Sequence, residues 1–218
     1  MNKDILNDLI TYLESLHHIK SDDIPDLDLY MDQVTGFMDD HLAKVKRHPE
    51  DKALTKTMIN NYAKNRLLPA PVKKRYSREH ILILLFIYYY KGVLNLTDIQ
   101  TILEPINQKY FSNDKALSLE DIYETVFSLE DKRMSHLIDD VTDKFETASL
   151  MFPEDNDTSE SLSPEDRDEL RIFAFLGELG FDVYLKRQLM ERIIDQIRAS
   201  QKDKEMKESV QKRAVKKK

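Results

Sequence analysis

Five polar side chains recur on one side of the segment from Thr55 to Asn65, namely Lys56, Thr57, Asn60, Asn61 and Lys64. When the segment is wound as a helix, Met58, Ile59 and Tyr62 lie on the opposite side. An Asn amide can form two hydrogen bonds with adenine, a Lys ammonium can donate to guanine, and a Thr hydroxyl accepts several bases. The segment contains no carboxylate that would repel phosphates. This pattern indicates a helix that reads bases in the major groove, although an ordinary polar surface helix would have the same pattern.

Basic residues continue after this segment, and four of them could hold the DNA backbone: Lys73, Lys74, Arg75 and Arg78. The interval from Lys44 to Lys91 has twelve Lys or Arg and three Asp or Glu, a net charge of +9 within a chain of net charge −7. Such an uneven distribution favours a local anionic partner such as double-stranded DNA. A solvated basic face that binds nothing remains the alternative.

Several kinds of chemistry are excluded by the composition. The chain has no cysteine, so disulfides, thiol catalysis and Cys-based metal centres are ruled out. Its six histidines are scattered and none forms a metal-binding spacing, and the chain has no glycine-rich phosphate loop. We therefore expect a protein that is not an enzyme, with no catalytic residues, no bound metal and no cofactor.

Hydrophobic spacing predicts an all-α protein, because apolar residues recur every three or four positions and glycine is rare. The apolar run Ile81–Tyr90 is too short to span a bilayer and is better explained as a buried helix, so we expect a cytoplasmic protein without membrane contact. Predicted helices cover 2–20, 27–45, 55–65, 78–90, a segment capped by Thr97, a segment from Ser118 to about Phe145, and a segment capped by Ser163.

The basic region resembles a known DNA-binding unit. Its motif consists of Thr55, Ile59, Tyr62, Leu67, Leu68, Pro69 and Pro71, followed by Arg75, Tyr76 and Ser77. This motif resembles the recognition helix and turn of the mercury-resistance-regulator (MerR-type) winged helix-turn-helix family. The resemblance implies that 55–65 is the recognition helix. The family has a longer, glycine-bearing wing, so the wing here is shortened, and the partner helix at 27–45 is joined by a longer connection.

A second resemblance joins several motifs in order: "DLYMDQVTGFM", "LTKTMINNYAKNRLLP", "VKKRYSREHILILLFIYYYK" and "VLNLTDIQTIL". Together they resemble the bacterial family catalogued as domain of unknown function 1836, whose role is a presumed DNA-binding regulator. We therefore divide the chain into an N-terminal amphipathic helix at 1–24, a helix-turn-helix-like unit at 25–105, an appended helical lobe at 106–200, and a mobile basic tail at 201–218.

The last predicted helix, 164–200, carries more apolar surface than one seam requires. Its 4-3-4 series comprises Ile172, Leu176, Leu179, Val183, Met190, Ile193 and Ile197. The helix is either buried within its own lobe or forms a homodimer, as MerR-type regulators do. The sequence thus predicts a sequence-specific DNA-binding transcriptional regulator. The alternative is a non-enzymatic protein-interaction or adaptor module.

Overall fold

The computed structural model describes residues 3–112, 117–153 and 162–215. Over these residues the protein is mostly helical, which confirms the all-α class, with two short strands added. The elements are α1 (Lys3–Glu14), β1 (Leu29–Tyr30), α2 (Met31–His41), α3 (Lys56–Lys64), β2 (Arg75–Tyr76), α4 (Arg78–Lys91), α5 (Leu96–Tyr110), α6 (Leu119–Phe127), α7 (Glu130–Leu150) and α8 (Pro164–Val215). None of the helices in these ranges is both long enough and apolar enough to cross a membrane.

Contacts group the chain into two compact units. The first, here called the α7 unit, contains α1 with residues 125–186. The second, the α4 unit, contains residues 20–124 and the chain from Arg187 onward. This grouping differs from the linear division drawn from the sequence, because α1 joins the lobe and the end of α8 joins the α4 unit.

The α7 unit is held together by a small apolar cluster. Val141, Phe145 and Ala148 of α7 are buried together with Phe175 of α8, and the two Phe rings meet edge to face at 5.5 Å between centroids. Three leucines of α1 pack against this cluster, at the spacing of one helix face: Leu6, Leu9 and Leu13. The predicted amphipathic helix is therefore confirmed, although α1 ends at Glu14 rather than near residue 20.

The core of the α4 unit is built around α4, as expected for a buried apolar helix. All residues from Ile81 to Ile87 are buried, so this helix is covered on every side. Ser77 precedes the helix and His80 completes a capping box with it, while Gly92 follows as the C-cap. Apolar residues of α2 and α3 complete this buried set, among them Val34, Met38, Ile59 and Tyr62.

Two predicted boundaries are wrong for local reasons. The cap of α5 is Asn95 rather than Thr97, because the Asn95 Oδ1 accepts from the Asp98 N–H at 2.9 Å. The helix capped by Ser118 stops at Phe127, and α7 begins at Glu130. At this break the Ser128 hydroxyl donates to the Thr125 carbonyl at 2.8 Å, a local bond that competes with continued helix.

The start of α8 agrees with its sequence signal and its end does not. Ser163 Oγ accepts from the Asp166 N–H at 3.0 Å, and the Asp166 carboxylate accepts from the Ser163 N–H at 3.2 Å. The helix then continues to Val215, past the predicted limit of 200. The mobility of the basic tail stays a prediction, and residues 216–218 lie outside the described part of the chain.

Candidate nucleic-acid interface

Helix α3 is anchored by one apolar side and by its cap. The Thr55 Oγ1 accepts from the Met58 N–H at 3.2 Å, which makes Thr55 the N-cap as the sequence predicts. Ile59 and Tyr62 are buried at 0 % and 4 % exposure. Because these two residues face the core, the opposite side of the helix faces solvent.

That solvent-facing side carries the five candidate base readers, and the structure leaves all of them exposed: Lys56, Thr57, Asn60, Asn61 and Lys64. Lys56 pairs with the Asp32 carboxylate of α2. Within the described residues, the other four side chains form no hydrogen bond or ion pair with the protein. Their amide, hydroxyl and ammonium groups are therefore available to an external partner.

The end of α3 introduces one further cation. The Leu67 N–H donates to the Tyr62 carbonyl at 2.9 Å, and the Arg66 N–H donates to the Ala63 carbonyl at 3.2 Å. These two bonds define a Schellman motif, in which the residue directly after the C-cap has a left-handed conformation and is usually glycine. Here that position holds Arg66, exposed and with φ of 59°. A left-handed conformation at a residue with a Cβ costs about 1–2 kcal/mol.

The predicted short wing is a two-residue hairpin. Val72 and Arg75 exchange both backbone hydrogen bonds, at 3.2 and 2.9 Å. Between them, Lys73 and Lys74 have φ of 50° and 65°, the conformation of a type I′ turn. Asn-Gly is the favoured pair for this turn, yet both positions carry exposed ammonium groups.

The strand that leaves the hairpin fixes Arg75. Arg75 of β2 pairs with Tyr30 of β1 in an antiparallel register. Its guanidinium donates to the Tyr30 hydroxyl at 3.1 Å and lies 5.2 Å from the centre of that ring. Tyr30 is itself 51 % exposed, so the pair presents a cation beside an exposed aromatic ring.

Arg78, by contrast, is turned into the protein. Its guanidinium donates to the backbone carbonyls of Ile24 and Ser21, both at 2.8 Å, and to the carboxylates of Asp26 and Glu120 at 2.6 and 2.7 Å. With its charge matched by two carboxylates, Arg78 holds the start of α4 to the preceding loop. We therefore leave it out of the candidate interface.

Asp39 holds the connection between α2 and α3 in place through hydrogen bonds and ion pairs. This carboxylate accepts from Lys52 Nζ at 2.8 Å and from the Ala53 N–H at 2.9 Å, and it lies 3.1 Å from Lys46 Nζ. Burial raises the pKa of Asp39, but these hydrogen bonds and charges outweigh that effect and lower the pKa from 3.8 to about 2. The ionised Asp39 therefore positions the chain that enters α3.

His80 is buried at the start of α4, next to β2. Its Nδ1 accepts from the Ser77 N–H at 3.0 Å, which fixes the capping box of α4 next to β2. The ring lies edge-on to Tyr76 and Phe111, at 5.5 and 4.7 Å between centroids. Burial lowers the pKa of His80 below its ordinary 6.5. The neutral ring is thus a structural part of the unit.

Arg66 and Tyr30 belong to this surface, although neither was predicted there from the sequence. A Schellman ending was readable from Leu67 and Leu68 after the helix, which would have placed Arg66 at the exposed left-handed position. The contact between Tyr30 and Arg75 depends on a strand pairing 45 residues apart, for which the local pattern gave no signal. In the described ranges, no group of three or more His, Asp or Glu side chains is arranged to hold a metal ion.

Comparison with known proteins places this surface within a recognised family domain. Residues 19–126 match the model of the family described as Domain of unknown function (DUF1836). This match confirms the predicted resemblance and extends beyond the predicted 25–105 at both ends. It contains α3 and the hairpin entirely. Neither the curated proteins nor the solved structures gave a significant match.

Proposed function

We propose that this protein is a sequence-specific DNA-binding regulator of transcription. In this proposal, α3 enters the major groove of double-stranded DNA and the Lys73–Lys74 hairpin contacts the phosphate backbone. Asn60 and Asn61 read adenine, Lys56 and Lys64 donate to guanine or to phosphate, and Thr57 adds a tolerant contact.

The observation that carries the proposal is that basic residues occupy positions where the backbone has a left-handed conformation. Five residues with side chains have positive φ in the described ranges, and three of them are Arg66, Lys73 and Lys74. Each occupies a position where Gly or Asn is favoured, so each costs conformational energy. Strain of this kind is concentrated at functional sites, and exposed positive charge in the segment that follows a polar helix suits a polyanion.

Backbone contacts are assigned with two changes from the sequence prediction. Lys73, Lys74 and Arg75 remain phosphate contacts, because all three are exposed. Arg66 is added, since it lies two residues beyond Lys64, the last of the base readers, and is exposed. Arg78 is removed because its charge is matched by Asp26 and Glu120.

Salt-dependent DNA binding tests this proposal. The affinity of the full-length protein for duplex DNA is measured by fluorescence anisotropy at several salt concentrations. We expect binding that weakens steeply with salt, by about one unit of logarithmic slope for each phosphate contact. The same measurement separates the second candidate, an interaction module without DNA binding, which the exposed apolar residues of α8 favour.

A further inference from the structure

One side of α8 is apolar and exposed within the α7 unit. Phe175 is buried and Leu179 packs on the cluster around α7, which fixes the inward side of the helix. At 100° per residue, the outward side falls on Phe173, Gly177, Gly180 and Tyr184, which we call the α8 seam. Phe173 is 73 % exposed and Tyr184 is 54 % exposed.

The residues beside the seam are also apolar and exposed: Leu176, Phe181, Val183 and Leu185. This surface differs from the predicted 4-3-4 series, of which Leu179 is half-buried. At 150–250 Å² for a large aromatic side chain, the exposed portions of Phe173, Phe181 and Tyr184 alone sum to roughly 300–450 Å². With the exposed aliphatic side chains beside them, the area reaches the upper part of the range for the largest patch of a typical monomer, about 300–600 Å², whereas each partner contributes about 800 Å² to a standard stable interface.

The two seam glycines have no explanation within a single copy. A Cβ added to Gly177 or Gly180 would meet no atom within 4 Å. Glycine within a helix costs about 1 kcal/mol relative to alanine, and a chain with four glycines has placed two of them here. Glycine on a helix surface allows another backbone to approach closely.

We propose that the α8 seam pairs with the α8 seam of a second copy, with the two helices antiparallel. The seam residues are spaced by four, three and four positions, so their spacing is the same in both chain directions. A two-fold axis between Gly177 and Gly180 then places Phe173 against Tyr184 of the second copy, and glycine against glycine. Such self-complementarity is what an isologous interface requires, which identifies the occupant as the same chain.

Charges at the two ends of the seam select the antiparallel direction. Glu169 lies one turn before Phe173 and is exposed, and Arg187 lies one turn after Tyr184 and is exposed. Antiparallel pairing brings Glu169 of one copy to Arg187 of the other, whereas parallel pairing would bring like charges together. Arg187 also donates to Glu191 in its own helix, at 2.9 Å. This inference does not depend on DNA binding.

Light scattering on the full chain at tens of micromolar tests the interface. We expect wild-type protein with twice the mass of one chain, and a dissociation constant raised at least about 100-fold by Phe173→Glu or Tyr184→Glu. Leu150→Glu is the matched control, because Leu150 is an apolar residue of the same unit that is 79 % exposed away from the seam. Circular dichroism establishes that each variant is folded.

A charge exchange tests the direction of pairing. Glu169→Arg and Arg187→Glu should each weaken the dimer several-fold, and the double variant should recover the wild-type dissociation constant. A folded wild-type monomer at these concentrations would overturn the proposal, as would a dimer that Leu150→Glu disrupts and Phe173→Glu does not. Loss of the dimer in both single variants without recovery in the double would overturn the antiparallel arrangement.

Discussion

Arg198 Nη2 lies 2.6 Å from Asp98 Oδ1, so an ion pair joins the later part of α8 to the first turn of α5. Arg198 Nε also donates to the Thr101 hydroxyl at 3.0 Å, and the second Asp98 oxygen accepts from the Asn95 amide at 2.7 Å. Asp98 is 5 % exposed, so these partners take the place of water around its carboxylate. The pair holds the end of α8 within the α4 unit.

Removing Arg198 should therefore destabilise the protein. Arg198→Met leaves Asp98 buried with its charge unmatched, and we expect a loss of about 2–3 kcal/mol in the free energy of unfolding, measured with urea. Arg192→Met is the control, because Arg192 is an exposed residue of the same helix. Adding Asp98→Asn should restore part of the loss. Equal stability of the Arg198 and Arg192 variants would contradict this account.

Asp39 should make the free energy of unfolding depend on pH in the acid range. Its pKa is about 2 in the folded protein against an ordinary 3.8, so the unfolded chain binds the proton first. The contribution of Asp39, about 1–2 kcal/mol, is present above pH 4 and is lost as the pH falls toward 2. Asp39→Asn should thus be less stable than wild type at pH 6 and nearly equal to it near pH 2.

The control for this prediction is Asp40→Asn, since Asp40 is the exposed neighbour of Asp39. Its unfolding free energy should follow that of the wild type at both pH values. If the deficit of Asp39→Asn were the same at pH 2 and pH 6, the carboxylate would not be the source of the acid dependence.

Replacing Arg66, the strained basic residue at the end of α3, with glycine should stabilise the fold and weaken DNA binding. Arg66→Gly relieves the left-handed conformation, and we expect unfolding to cost about 1 kcal/mol more, measured by thermal or urea denaturation. The same change should weaken binding to all DNA sequences and lower the salt slope by about one unit. Arg66→Lys, which keeps the charge and the strain, should change neither property greatly. A stabilised Arg66→Gly protein with unaltered DNA affinity would exclude Arg66 from the interface.

Much of this fold could be predicted because its signals are local. Capping by Thr55, Ser77, Ser118 and Ser163, and the buried face of α3, follow from side-chain types at short spacing. The roles of Arg78 and Arg198 could not be predicted this way, because their carboxylate partners lie 42 to 100 residues away. A basic residue in a basic region suggests a phosphate contact until the acids that fold back onto it are known.

The conformation of the hairpin also depends on contacts between residues that are distant in the sequence. Val72 to Arg75 contains no Gly or Asn, so a type I′ turn is not expected there from residue types alone. Pairing between β1 and β2 imposes the turn on two lysines. The strained conformation of Lys73 and Lys74 is therefore visible only in the folded chain.

In the proposed function, α3 reads bases while the hairpin holds phosphates, and two double variants separate these roles. Asn60→Ala/Asn61→Ala should lose roughly 1–3 kcal/mol for each reading contact on a duplex selected by the wild type, and little on a scrambled duplex. Lys73→Asn/Lys74→Gly gives the turn its favoured residues, so this variant should be more stable than the wild type. Because it lacks two proposed phosphate contacts, it should bind both duplexes more weakly.

Fluorescence anisotropy on the selected and scrambled duplexes, across a series of salt concentrations, is the most direct measurement. We predict that the hairpin variant lowers the salt slope by about two units on both duplexes, whereas the α3 variant leaves the slope nearly unchanged and loses affinity on the selected duplex alone. If the folded wild-type protein bound neither duplex at low salt, the proposed function would be contradicted.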